Sequence, residues 1–224
     1  MKIAHYSFSR VGGAGKVAGL LTDGMKSRKH DVTHHFEADK DLLREPWRHP
    51  VTLSQSIFDN YVVRRSNSTS FFSMQRSSPK YQTDVLDHDV VHLHWWQGLD
   101  LGALRAKNPS AHFFVSLHDD RAFTGGCHSA GACRGPIRSC SNCPIARKAF
   151  HGEVEANFRR NRLNLGSLSN LTFVAPNSWM HDRASRFGLA SLGRLIVVPN
   201  PLNPAYEVDL APNRTFQTAR PKYG

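Results

Sequence analysis

The chain has 224 residues, 40% of them hydrophobic, which is enough for one sizeable α/β core and too little for two full domains. Its formal charge of +11 and pI near 9.9 favour an anionic partner, with nucleic acid, anionic lipid headgroups and phosphorylated small molecules all qualifying. No apolar run approaches the roughly 18 residues of a membrane span, and MKIAHYSFSR lacks the apolar centre and cleavage site of a signal peptide, so a cytoplasmic protein, at most resting on the inner face of a membrane, is expected.

Lys2 to Phe8 reads as a first strand, SRVGGAG (Ser9 to Gly15) as a glycine-rich turn, and Lys16 to Arg28 as a helix with Val17, Leu20, Leu21 and Met25 at helical spacing. Asp31 to Phe36 resembles a second strand ending at Glu37. From Asp39 to Lys80 the periodicity is lost, and the Ser-rich run Ser66 to Ser78 reads as an exposed loop open to a ligand. Asp89 to Trp95, His112 to Leu117, Leu171 to Ala175 and Leu195 to Val198 are short apolar runs of the kind buried parallel strands show. Between them, Ala146 to Leu163 carries a helical stripe of Ala146, Phe150, Val154 and Phe158 on an otherwise basic segment. The alternation predicts an α/β fold, a doubly wound parallel sheet with helices on both faces. Ser9 and Arg10, Glu37, His94 to Trp96, His118 to Asp120, Asn177 and Asn200 all follow strands, so their chemistry should gather beyond the carboxyl edge of the sheet.

The glycine turn is not a phosphate-binding P-loop, because Arg10 stands at its first glycine position and Val17 where a magnesium-ligating hydroxyl belongs. It does satisfy a relaxed dinucleotide pattern over Gly13 to Ala18, with Glu37 as a ribose-binding acid, which keeps an NAD(P)-binding oxidoreductase domain as an alternative. A turn lengthened by Ser9 to Gly12 argues against it. The glycines either permit the turn or admit an anion or sugar to the helix N-terminus.

His92 and His94 share one strand face and lead into Trp95, Trp96 and Gln97, an aromatic pair suited to stacking on a sugar ring; His92 reads equally as a core residue. His118, followed at once by Asp119 and Asp120, sits at a strand end where its imidazole can meet a ligand or hydrogen-bond a backbone carbonyl. Cys127, Cys133, Cys140 and Cys143 follow C-x5-C-x6-C-x2-C and are all the cysteines of the chain. In a reducing compartment the last pair has the knuckle spacing of a structural zinc site, with His128 as a substitute ligand; two disulfides or four free thiols are the other readings. Zinc plus the basic charge leaves a third class, a zinc-stabilised nucleic-acid-binding module, although no helix concentrates the basic residues and no nucleic acid is expected.

The early GGAGKVA, VVHLHWWQG, LHDDRAFTGGCH with its trailing C-x2-C-P, VAPNSWM and IVVPNPLN, in that order, resemble the N-terminal domain of GT-B glycosyltransferases of family 4, the retaining, nucleotide-sugar-dependent type of bacterial exopolysaccharide and capsule synthesis. The resemblance implies a Rossmann-like acceptor-side domain over residues 1–204, a cysteine-rich insertion at 121–145, and a tail at 205–224 leading towards a donor-binding domain beyond this sequence. It further implies catalytic roles for His118 and Asp119, donor phosphate binding by Gly12, Gly13 and Asn200, and acceptor binding by Arg10, His94 and Trp95, with a glycan or lipid-linked acceptor. No catalytic metal is expected, because the leaving diphosphate can take the acceptor's proton. The half alone should turn over little.

Overall fold

A computed structural model describes residues 1–38, 50–63, 72–74 and 87–202. Six strands, β1 (Lys2–Ser9), β2 (Asp31–Ala38), β3 (Val90–Trp95), β4 (His112–Ser116), β5 (Leu171–Ala175) and β6 (Arg194–Val197), form one sheet. Every neighbouring pair is parallel, and the order is β2-β1-β3-β4-β5-β6. The helices are α1 (Gly13–Ser27), α2 (Pro50–Val62), α3 (Leu101–Lys107), the single turn α4 (Gly135–Arg138), α5 (His151–Ser167) and α6 (Ser178–Arg186). The strands fall where the apolar runs predict them. Helix α2 lies in a stretch whose sequence shows no clear period, and α5 starts five residues later than its stripe suggests. There Ala146 bridges Val63 and the Arg147 amide donates to the Val62 carbonyl at 2.8 Å, which holds the chain extended until Arg147.

Alternation along the strands sorts two faces. Ala4, Tyr6, Val91, Leu93, Phe113, Val115, Leu171 and Phe173 pack with Leu101 and Leu104 of α3, Leu165 of α5 and Met180 and Ala184 of α6 in one buried cluster. Each large side chain there contributes about 1.5–3 kcal/mol by leaving water. The opposite face presents Ile3, His5 and Ser7 of β1, Val32 and His34 of β2, and His92 and His94 of β3, and α1 packs across these three strands. A second, smaller cluster joins Val62 of α2 to Cys140, Cys143 and Ala146 of the cysteine-rich segment and to Val154 and Phe158 of α5.

Because β1 leads to β2 on one side and β3 to β4 on the other, the strand order switches between β1 and β3, and it is beyond their carboxyl ends that such sheets place a ligand-binding crevice. The Ser-rich run Ser66 to Ser78 lies outside the described residues apart from residues 72–74, and the tail at 205–224 lies wholly outside them.

Candidate functional site

The turn from β1 into α1 is only Arg10, Val11 and Gly12, shorter than the sequence suggests. Helix α1 begins without a side-chain cap and with no acidic residue in its first turn, so no side chain caps its leading N–H groups and no carboxylate of its own first turn offsets its positive end. Gly12 has an extended backbone, with φ of −72° and ψ of 170°, and a Cβ added at Gly12 or Gly13 would touch nothing. Neither backbone conformation nor packing demands glycine there, which leaves open space beside the helix end. Gly15, the second glycine of the relaxed dinucleotide pattern, is different: its missing Cβ would collide with the Ser9 carbonyl oxygen, so the turn crosses over it. The Arg10 guanidinium lies 5.4 Å from the centre of the Phe36 ring on an exposed surface.

On β3 the register slips between Tyr6 and Ser7, which pair with Leu93 and Trp95, so His94 is the extra residue of a bulge. It is buried and both its ring nitrogens are taken: Nε2 lies 3.1 Å from His5 Nδ1, and Nδ1 lies 3.1 Å from His118 Nε2. His94 is thus behind His118, reaching the crevice through it, and offers no free nitrogen to an acceptor. His92 Nε2 meets Ser116 Oγ at 2.9 Å, and Ser7 Oγ meets His34 Nε2 at 2.9 Å, completing a polar row under α1. Burial depresses the whole row: His5 and His118 are held down to about 4, His92 and His94 are held well below the ordinary imidazole range, and His34 is lowered as well. All are neutral at pH 7. Ligand atoms of His5, His92 and His94 lie within 4.8 Å of one another, and they make up the one such group among the described residues.

Trp95 packs against Phe8 and His128, whereas Trp96 is buried under the Arg121 guanidinium and is not available to a sugar. The two aspartates after His118 divide their tasks. Asp119 accepts from the Arg121 amide at 2.9 Å and pairs with His128 Nδ1 at 2.7 Å; burial would raise its pKa, but the His128 hydrogen bond and charge outweigh it and hold Asp119 below the usual carboxylate range. Asp120 is buried and takes Arg183 of α6 through two bonds of 2.8 and 2.7 Å, together with the Ala130 amide. It ties the cysteine-rich segment to α6. His128 is committed to Asp119 and, through Nε2, to Ser73 Oγ at 2.8 Å, so it stands in a different arrangement from that of a substitute metal ligand.

All four cysteines are free thiols, and no disulfide links them. The Gly135 amide donates to Cys133 Sγ at 3.3 Å, and the amides of Ile145 and Ala146 reach Cys143. The Cys127 thiol, donating to Cys143, draws that sulfur down to about 6, and burial pushes Cys140 up to about 12. The four sulfurs are neighbours, yet no three of them converge within 4.8 Å. The TGGCH glycines serve this segment: Gly126 has φ of +135° and lies so close to the Phe72 ring that a Cβ would come within 2.7 Å of it.

Arg10, Gly12 and Gly13 after β1, Trp95 on β3 and His118 after β4 therefore belong to three adjacent strands. Asn200 follows β6, four strand spacings from β1 or roughly 19 Å across the sheet, and is exposed. Asn177 is explained by structure, since its side chain caps α6 by accepting from the Met180 amide at 2.9 Å. The fold is that of a Rossmann-like α/β protein, with the candidate site at the strand-order switch. Comparison with protein-family models, with curated proteins and with solved structures gave no match. No helix among the described residues is long and apolar enough to cross a membrane.

Proposed function

We propose that the chain is the acceptor-side half of a retaining glycosyltransferase that moves a sugar from a nucleotide-sugar to a glycan or lipid-linked acceptor. The observation that carries this reading is the pairing, across the β1/β3 switch, of a helix N-terminus without a side-chain cap beside two sterically unneeded glycines with a neutral strand-end imidazole, His118. The helix end suits a diphosphate and His118 suits a sugar oxygen. In such a transfer the leaving diphosphate accepts the acceptor hydroxyl's proton, so these groups supply position and electrostatic stabilisation and no protein base is needed. The basic charge of +11 suits a lipid diphosphate or an anionic leaflet. In titrations of the 15N-labelled chain, nucleotide-sugars should shift the amides of Gly12 to Gly15 and of His118 selectively. Tight NAD binding would instead establish the oxidoreductase alternative, and salt-dependent oligonucleotide binding the nucleic-acid alternative.

A structural zinc ion on Cys127, Cys133, Cys140 and Cys143 belongs to the same proposal. The fit rests on the donor set: four reduced thiols, with backbone amides already aimed at Cys133 and Cys143 as they are around metal-bound thiolates. Bound there, zinc would hold the cysteine-rich segment against α2 and α5 and take no part in the transfer.

A further inference from the structure

The chain of imidazoles His5, His94 and His118 has a direction, and its buried end decides which. A neutral imidazole has one donor and one acceptor nitrogen, so His94, with both nitrogens engaged, allows two arrangements. If the protons point inward, His118 donates from Nε2 to His94, His94 donates from Nε2 to His5, and His5 must keep its own proton on Nε2. That atom is fully buried and meets no hydrogen-bond partner among the described residues. If the protons point outward, His5 donates from Nδ1 to His94 Nε2, His94 donates from Nδ1 to His118 Nε2, and the buried Nε2 of His5 holds only a lone pair. Orphaned buried N–H groups are rarer than under-satisfied acceptors, and desolvating an unpaired donor is costly.

We propose that the chain is polarised outward, so that His118 carries its proton on Nδ1 and meets the crevice as a hydrogen-bond donor, with His5 and His94 as the positioning residues that fix it so. The ligand atom this donor recognises is an oxygen acceptor, a sugar hydroxyl or phosphate oxygen. His118 consequently cannot take a proton from an acceptor hydroxyl, because its outward Nδ1 already carries a proton and offers no lone pair, and its Nε2 is taken by His94. The bulge at His94 now has a purpose, because it places one ring between a core histidine and a strand-end histidine on the same face. An ion held between the facing nitrogens of His5 and His94 would require both to be unprotonated, so a metal at the His5, His92 and His94 group excludes this arrangement.

The direction of the chain stands on geometry alone; its use towards a sugar rests on the glycosyltransferase reading. The test therefore reads protons and not turnover. Long-range proton–nitrogen correlation spectra of the 15N-labelled 224-residue chain at pH 7.5 distinguish the two neutral tautomers. His5, His94 and His118 should all be protonated on Nδ1. His118 or His5 protonated on Nε2 overturns the proposal, as does a stoichiometric metal ion with His5 Nδ1 and His94 Nε2 both bare. His5→Asn, which keeps a donor near the Nδ1 position, should leave His118 as the Nδ1–H form, whereas folded His5→Asp, whose carboxylate can only accept from His94 Nε2, should turn His118 to Nε2–H. An unchanged His118 in folded His5→Asp refutes the positioning role. If His5→Asp does not fold, the wild-type and His5→Asn spectra still decide. Failure of nucleotide-sugar binding with the expected tautomers present would refute the glycosyltransferase reading and leave the polarised chain standing.

Discussion

Acidification should destabilise this protein well before its carboxylates are protonated, because the histidine row under α1 is buried neutral. The unfolded chain takes up a proton at each histidine as pH falls through about 6.5, whereas folded His5 resists until about 4. The folded pKa is the lower one, so the native state keeps its full stability above pH 6.5 and loses it progressively between 6.5 and 4. From pH 7 to pH 5, His5 alone costs about 1.5 units at 1.36 kcal/mol each, or about 2 kcal/mol. His118, depressed to about 4 but less deeply buried, adds about 1–2 kcal/mol, and His92 and His94 act in the same direction. A loss of about 3–4 kcal/mol is a large part of the 5–15 kcal/mol that domains possess. Urea unfolding at pH 7.5, 6 and 5 and constant ionic strength should show it as a falling midpoint at unchanged slope. His5→Asn, which does not titrate, should recover about 2 kcal/mol of the pH dependence. Equal stability at pH 7.5 and 5, within about 1 kcal/mol, would refute the claim that these imidazoles are buried neutral.

Gly15→Ala should abolish or severely weaken folding, because its Cβ has no room beside the Ser9 carbonyl, while Gly13→Ala should fold normally and lose nucleotide-sugar binding; circular dichroism and the amide titration separate them. Asp120→Asn leaves the part-buried Arg183 guanidinium without its anion and should cost about 2–3 kcal/mol in thermal or urea unfolding, with a loss under 1 kcal/mol counting against the clamp. Protein purified without added metal should contain about one zinc per chain by elemental analysis, and Cys143→Ser should lose it; metal-free protein with unchanged exchange protection over residues 127–150 would refute the structural zinc. In an enzyme completed by its donor-binding half, His118→Ala should lower kcat by about a hundredfold or more at nearly unchanged nucleotide affinity, and near-normal turnover would remove His118 from the transfer step.

The alternation of apolar runs with helical stripes was enough to place every strand and to foresee a parallel sheet with its polar residues at one edge. That is local information: period, β-branched and aromatic content, and punctuation by glycine and proline. Glycines and histidines were visible as types, but their roles were not. Gly12 and Gly13 look alike with Gly15 in sequence, and only the path of Ser9 and Arg10 across α1 shows which of them the fold requires. His94 reads as a strand-end ligand until the bulge and the two flanking rings turn it into a buried link, and His5 reads as an ordinary residue of a first strand. Asp119 and Asp120 are adjacent in the chain yet serve partners at His128 and Arg183, 9 and 63 residues away. Helix α2 has no clear sequence period because polar Gln55 and Asp59 are buried in it, Gln55 donating to the Met74 carbonyl, while Leu53, Ile57 and Tyr61 are exposed, the reverse of what an apolar stripe would announce. Hydrogen-bond direction, burial and the choice of partner are set by atoms brought together across the sheet. A linear pattern names the residue types available for such contacts, and the tertiary structure decides which of them meet.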